Sequence, residues 1–103
     1  MEDSERRASK RTTYFCEATL EGMDVAHTHV RLADLSVEGA FVDTRSVLPA
    51  GAVTRLRFTL GSKDVGVNAE VRYSMPGMGM GLRFLNLAPE DRKAIEEFLA
   101  RQA

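Results

Sequence analysis

Two short runs of this sequence carry side chains suited to chemistry. The first is Arg6-Arg7-Ala8-Ser9-Lys10-Arg11, which contains the spacing Arg7-x-x-x-Arg11. A guanidinium is planar and always charged. It grips a phosphate, or the O6 and N7 atoms of a guanine, through paired hydrogen bonds, and it also stacks on a base plane. The second run is Asp34-Leu35-Ser36-Val37-Glu38-Gly39. The Asp34 carboxylate can accept from the guanine donors N1–H and N2–H2, and the Ser36 hydroxyl can both donate and accept. Gly39 permits a backbone conformation or a close approach that a Cβ would block. Arginines for phosphate and the Hoogsteen edge, with an aspartate for the donor edge, describe a guanine nucleotide held from two sides.

Other chemistry-bearing residues lack partners in the sequence. His27-x-His29 sets two imidazoles on one strand face, a beginning of Zn²⁺ chelation. No third ligand is evident unless Cys16 faces the same way from the next strand, so two exposed strand histidines and no metal are expected. Cys16 has no nucleophile signature and reads as a packed small side chain. Gly77, Gly79 and Gly81 recur with period two and no following Lys opens a helix. They therefore indicate a close-packed or bulged strand rather than a phosphate loop. No positioned base, nucleophile and metal set marks an enzyme.

The elements that must position the two runs follow from patterning. Residues 1–11 hold no apolar residue larger than Ala after Met1, so they read as a flexible, arginine-bearing arm. Thr12 to Leu20 is a strand with Tyr14, Cys16, Ala18 and Leu20 on one face, and Glu21-Gly22 reads as a turn. Val25 to Leu32 alternates, Asp34 to Gly39 interrupts, and Ala40-Phe41-Val42 resumes. Pro49-Ala50-Gly51 turns again. Leu56, Phe58 and Leu60 share a face opposite Arg55 and Arg57. Val65, Val67, Ala69, Val71 and Tyr73 repeat with period two, and Met80, Leu82 and Phe84 align after the Pro76-Gly77 turn. Pro89 at a first helical position, Glu90 and Asp91 in the first turn, and Ile95, Phe98 and Leu99 at helical spacing predict a helix over about 88–101. Short strands with Gly/Pro turns and one terminal helix predict a small antiparallel barrel with a helical cap.

Composition agrees with one small domain. The chain has 103 residues with 14 basic against 15 acidic side chains, a net charge of −1. Near-neutrality disfavours a long polyanion as partner. One cysteine excludes a disulfide framework. No apolar run approaches the ~18–20 residues of a membrane span, so no membrane insertion and a cytoplasmic address are expected. Of the 14 basic residues 11 are Arg, and the arm concentrates them.

Arg-x-x-x-Arg, about twenty residues of strand, then Asp-x-Ser-x-x-Gly resembles the paired motifs of PilZ domains, bacterial receptors for cyclic di-GMP. Gly79-Met-Gly81-Leu-Arg-Phe84 running into Leu87-Ala-Pro-Glu-Asp-Arg is similar to the PilZ finish. The resemblance implies an all-β fold, a six-stranded antiparallel barrel over 12–103 with its C-terminal helix and an arm over 1–11. It implies that Arg7, Arg11, Asp34, Ser36 and Gly39 bind cyclic di-GMP. In that family the residue before the first motif arginine influences whether one ligand or a stacked pair binds. Here it is Arg6, which suits a stacked pair. The expected function is a non-enzymatic receptor or adaptor without a cofactor, whose arm orders on ligand binding and signals to a protein effector. The rival readings are a PilZ-like interaction domain that binds no nucleotide, and a barrel for single-stranded nucleic acid. The latter wants exposed aromatic platforms, whereas most of the Phe and Tyr residues here are expected to face inward.

Overall fold

The computed structural model describes residues 12–22 and 27–102. The arm with Arg6, Arg7 and Arg11, and its expected flexibility, lie outside the described residues. Six strands form: β1 (Thr12–Gly22), β2 (His27–Leu35), β3 (Gly39–Asp43), β4 (Val53–Leu60), β5 (Lys63–Met75) and β6 (Gly79–Leu85). One helix, α1 (Pro89–Gln102), follows. The strands close in the order β1-β2-β3-β6-β5-β4, with every pair antiparallel and β4 bonded back to β1. Closure removes the open edges that would otherwise expose unpaired backbone groups.

Period-two sequence builds the interior. Leu56, Phe58 and Leu60 of β4 face inward, as do Val65, Val67, Ala69 and Val71 of β5 and Met80, Leu82 and Phe84 of β6. Ala18 and Leu20 of β1 are buried, and Tyr14 and Cys16 pack partly against the same core. In α1, Pro89 fixes the first φ, and Glu90 and Asp91 meet the positive end of the helix dipole. Ile95 is fully buried and plugs one barrel end, with Phe98 and Leu99 beside it. The Phe98 ring meets Tyr14 edge-on at 4.6 Å, and Lys63 reaches Asp91 at 3.5 Å, tying the helix to β1 and to the start of β5. No described helix is long and apolar enough to cross a membrane.

Three sequence expectations are corrected. Glu21-Gly22 is not a turn: both residues pair with β4, opposite Arg55 and Thr54. Asp34 belongs to a strand, because β2 continues to Leu35 while pairing with β1 on one side and β3 on the other. The interruption is only Ser36–Glu38. Tyr73 does not join the inward row of β5. The register shifts between Val71 and Tyr73, and the extra residue turns Tyr73 outward, 46% exposed.

Candidate functional site

Antiparallel connectivity brings four features to one end of the barrel: the start of β1, the β2–β3 turn, the β4–β5 turn and α1. Register makes the first two neighbours. Thr12 pairs with Leu35 and Thr13 with Asp34. In the sequence Arg11 immediately precedes Thr12 and Arg7 precedes it by five residues. Thr12, the residue that follows the arginine run, therefore enters the barrel beside Asp34 and Leu35.

The Asp34–Gly39 segment is built from within. Ser36 is 2% exposed. Its Oγ accepts from the backbone N–H of Glu38 at 3.1 Å and of Gly39 at 3.2 Å, and donates to the Gly39 carbonyl at 3.3 Å. The Ser36 N–H donates to that carbonyl as well, at 2.9 Å. The hydroxyl thus replaces a length of backbone ladder in a three-residue turn. Asp34 Oδ1 accepts from the Phe41 N–H at 3.2 Å, bridging the place where the β2–β3 register shifts. The Phe84 N–H donates to the Glu38 carbonyl at 2.8 Å, which latches the turn onto β6. Gly39 answers to close approach. Its φ is not in the left-handed region, but a Cβ there would fall 2.0 Å from the Leu82 carbonyl oxygen.

Two hollows flank this turn. One, of about 220 Å³, lies on the outer face among Glu38, Gly39, Arg72, Tyr73, Gly81 and Arg83. The other, of about 460 Å³, lies toward the helix among Val37, Glu38, Leu87 and Arg92. The outer face is aromatic as well as charged. Tyr73 and Phe41 pack with ring centroids 6.2 Å apart, and Phe15, 57% exposed, carries the Arg31 guanidinium 5.0 Å above its ring. Phe58 and Phe84 face inward as expected and Tyr14 and Phe98 pack against the core, so among the rings expected inward only Tyr73 departs. Phe15 lies on the outward half of the β1 alternation, and Tyr73 is displaced by the β5 bulge.

The remaining candidates separate. Cys16 packs inward while His29 is exposed, so the two cannot share a metal ion, and among the described residues no cluster of three His, Cys, Asp or Glu side chains is arranged to hold one. Burial pushes the Cys16 thiol and the Tyr14 hydroxyl up from their ordinary ranges. The Tyr14 hydroxyl donates to the Thr59 carbonyl at 3.1 Å. Arg57 pairs with Glu21 at 2.9 Å and Arg55 bonds Asn68 at 3.1 Å, so this part of the sheet face is internally satisfied.

The sequence matches the PilZ domain family over residues 5–101. The chain belongs to this family. The barrel is also that of solved PilZ-like proteins. The Bacillus subtilis inhibitor of motility MotI/DgrA matches with a TM-score of 0.80 at 20% identity, over 94% of this chain and 51% of that one. Escherichia coli YcgR, solved in complex with c-di-GMP, matches with a TM-score of 0.75 at 18% identity, over 94% of this chain and 46% of that one. Borreliella burgdorferi PlzA, also solved with c-di-GMP, gives 0.65 at 15% identity, over 80% and 31%. The chain spans about half the length of MotI/DgrA. No curated protein matches the sequence. In this PilZ domain Asp34 at the end of β2, Ser36 in the turn and Gly39 at the start of β3 are brought together; Arg6, Arg7 and Arg11 lie outside the described residues. Glu38 and Tyr73 were not singled out from the sequence, whereas Arg72 was expected on a solvated outer face and is exposed there. The first sits inside the motif as a variable position, and Tyr73 reaches the surface only through the β5 bulge.

Proposed function

We propose that this PilZ domain is a receptor for cyclic di-GMP that works without catalysis, ordering its arm on the ligand and passing the change to a protein effector. The observation that supports this reading is the register of Thr12 and Thr13, the residues next after the arginine run, against Leu35 and Asp34 of the motif segment. Arg7 and Arg11 then serve the phosphates and Hoogsteen edge, and Asp34 the donor edge of one guanine. Ser36 and Gly39 act by shaping the turn. Two relatives of the same fold, YcgR and PlzA, were solved with c-di-GMP, which supports the ligand class. An arm of this composition has no core to join and gains order when phosphates neutralise its arginines. Arg6 supplies a third guanidinium, suited to a stacked pair of ligands. A cytoplasmic address goes with an intracellular messenger of this kind.

Calorimetric titration of the full chain with cyclic di-GMP tests the reading. Saturable heat with one or two ligands per chain is expected, two marking the stacked pair. Absence of heat would favour the nucleotide-free interaction domain.

A further inference from the structure

The barrel end opposite the motif turn carries an apolar feature that ligand binding does not use. There β5 turns into β6 through Met75-Pro76-Gly77-Met78. Pro76 presets φ at the second position of the turn, and Gly77 takes a φ of +82° at the third. The Met78 N–H closes the turn on the Met75 carbonyl at 2.9 Å. The β3–β4 connection clasps it from one side. The Thr44 N–H donates to the Met78 carbonyl at 3.0 Å, the Ser74 hydroxyl donates to the Leu48 carbonyl, and the Leu48 N–H donates to Met80 Sδ at 3.4 Å. The backbone of the tip is thus held in place while its side chains stay in solvent. Met78 is 59% exposed and Met75 40%, with Pro76 exposed between them, whereas Met80 is fully buried.

A tight turn keeps its first and fourth Cα atoms within about 7 Å, so these side chains form one patch rather than scattered apolar residues. The patch continues onto Phe41, whose ring lies over Gly79, the register partner of Met75; a Cβ on Gly79 would fall 2.8 Å from ring atoms. No charged residue occurs from Tyr73 to Leu82. Two charges stand beside the tip on the β3 side. Asp43 is matched by Arg31 at 3.4 Å. Arg45, next to the Thr44 that bonds the tip, is exposed and has no ion pair among the described residues. The rim of the patch is therefore positive.

Methionine is flexible and polarisable, so it moulds to the apolar side chains of another protein. A second copy of this chain is a poor occupant, because a stable pair buries roughly 800 Å² per partner, more than a four-residue turn presents. A membrane is a poor one too, because interfacial anchors combine Trp, Phe or Leu with several cations. We propose that the Met75–Met78 turn is the docking point of the protein effector, and that it receives an amphipathic segment with an apolar face and an acidic flank. The methionines take the apolar face and Arg45 takes a carboxylate. The inference deepens the adaptor half of the receptor reading and rests on it for the biological role. The five-residue β3, roughly 17 Å long, separates the tip from the motif turn, so ligand and effector can be held together.

Methyl NMR of the full chain with carbon-13 methionine tests it, the signals being assigned from Met75→Ser and Met78→Ser variants. The probe is a Leu/Glu amphipathic helical peptide of about 18 residues, run beside its Leu/Lys counterpart. The Met75 and Met78 methyls should move with the Leu/Glu peptide while the Met80 methyl stays. The Leu/Lys peptide should bind at least about 5-fold more weakly, and Arg45→Glu should reverse that order. Met78→Ser should weaken the Leu/Glu peptide about 10-fold and leave Tm and the cyclic di-GMP titration unchanged. Methionine signals that stay still, or that move equally with both peptides, would overturn the docking point. So would movement with phosphatidylglycerol vesicles in place of the peptide, or on concentrating the chain alone, which would assign the tip to a membrane or to a second copy. Peptide docking by a chain that gives no heat with cyclic di-GMP would overturn the receptor reading and leave the docking point standing; heat without docking would do the reverse.

Discussion

Gly39 and Leu82 approach so closely across β3 and β6 that a Cβ on Gly39 would lie 2.0 Å from the Leu82 carbonyl oxygen. The contact is backbone on both sides, so neither partner can swing away. Gly39→Ala should therefore strain the barrel before any ligand is considered. Overpacking of this kind costs about 1–3 kcal/mol, and a domain of this size loses roughly 4–8 °C in Tm per kcal/mol. Thermal unfolding without ligand should show that loss. An unchanged Tm would mean that the glycine is needed for ligand access instead.

Ser36 makes the complementary case. Its buried hydroxyl accepts two backbone N–H groups, one of them from Gly39. Ser36→Ala leaves those amides without their acceptor, at a cost of about 1–3 kcal/mol. Urea unfolding of the ligand-free variant should move to a lower midpoint at an unchanged m-value. If Ser36 acted only on ligand, affinity would fall while the midpoint stayed in place.

The arm predicts the opposite pattern. Arg7→Ala and Arg11→Ala remove charge-assisted contacts worth about 1.5–3 kcal/mol, so each should weaken cyclic di-GMP binding about 10- to 100-fold. Neither change removes an apolar side chain, so Tm without ligand should hold. Arg55→Ala is the control, because that guanidinium bonds Asn68 on the sheet face. Equal losses for Arg55 and Arg7 in parallel titrations would remove the arm from the site.

These contrasts also mark what the sequence could carry. The inward rows of β4 and β6 follow from strict alternation, since burial of one face of a strand requires it. Pro89, Glu90 and Asp91 announced the helix through terminal chemistry. Tyr73 was illegible for a physical reason. A barrel wall must bend, the bend inserts one residue between Val71 and Tyr73, and no local pattern marks where. Asp-x-Ser-x-x-Gly was legible as a motif but not as a division of labour. Whether a serine hydroxyl turns into its own turn or out toward a ligand depends on β6, which supplies the latch at Phe84 and the close wall at Leu82. Glu38, a variable position of the motif, meets Tyr73 and Arg72 around one hollow only because β6 brings β3 and β5 together in the barrel.

Alkaline pH should expose the coupling between Cys16 and Tyr14. Burial, first of all, raises the thiol above its ordinary value of 9.0 and the phenol above 10.0; the nearby Cys16 charge adds to the rise at Tyr14. The folded protein therefore holds these protons more tightly than the unfolded chain does. Their contribution to stability is intact below the ordinary thiol value. As pH rises past it, the unfolded chain ionises first and stability declines until the folded thiol titrates as well. Urea midpoints measured from roughly pH 7 to roughly pH 10.5 should fall in the wild type, and Cys16→Ala should flatten the first part of that fall, leaving the phenol to act above it. Any change in packing from loss of the side chain is independent of pH, so it shifts the whole profile and leaves its slope alone. Parallel profiles for the two proteins would show that Cys16 does not ionise differently in the folded and unfolded states.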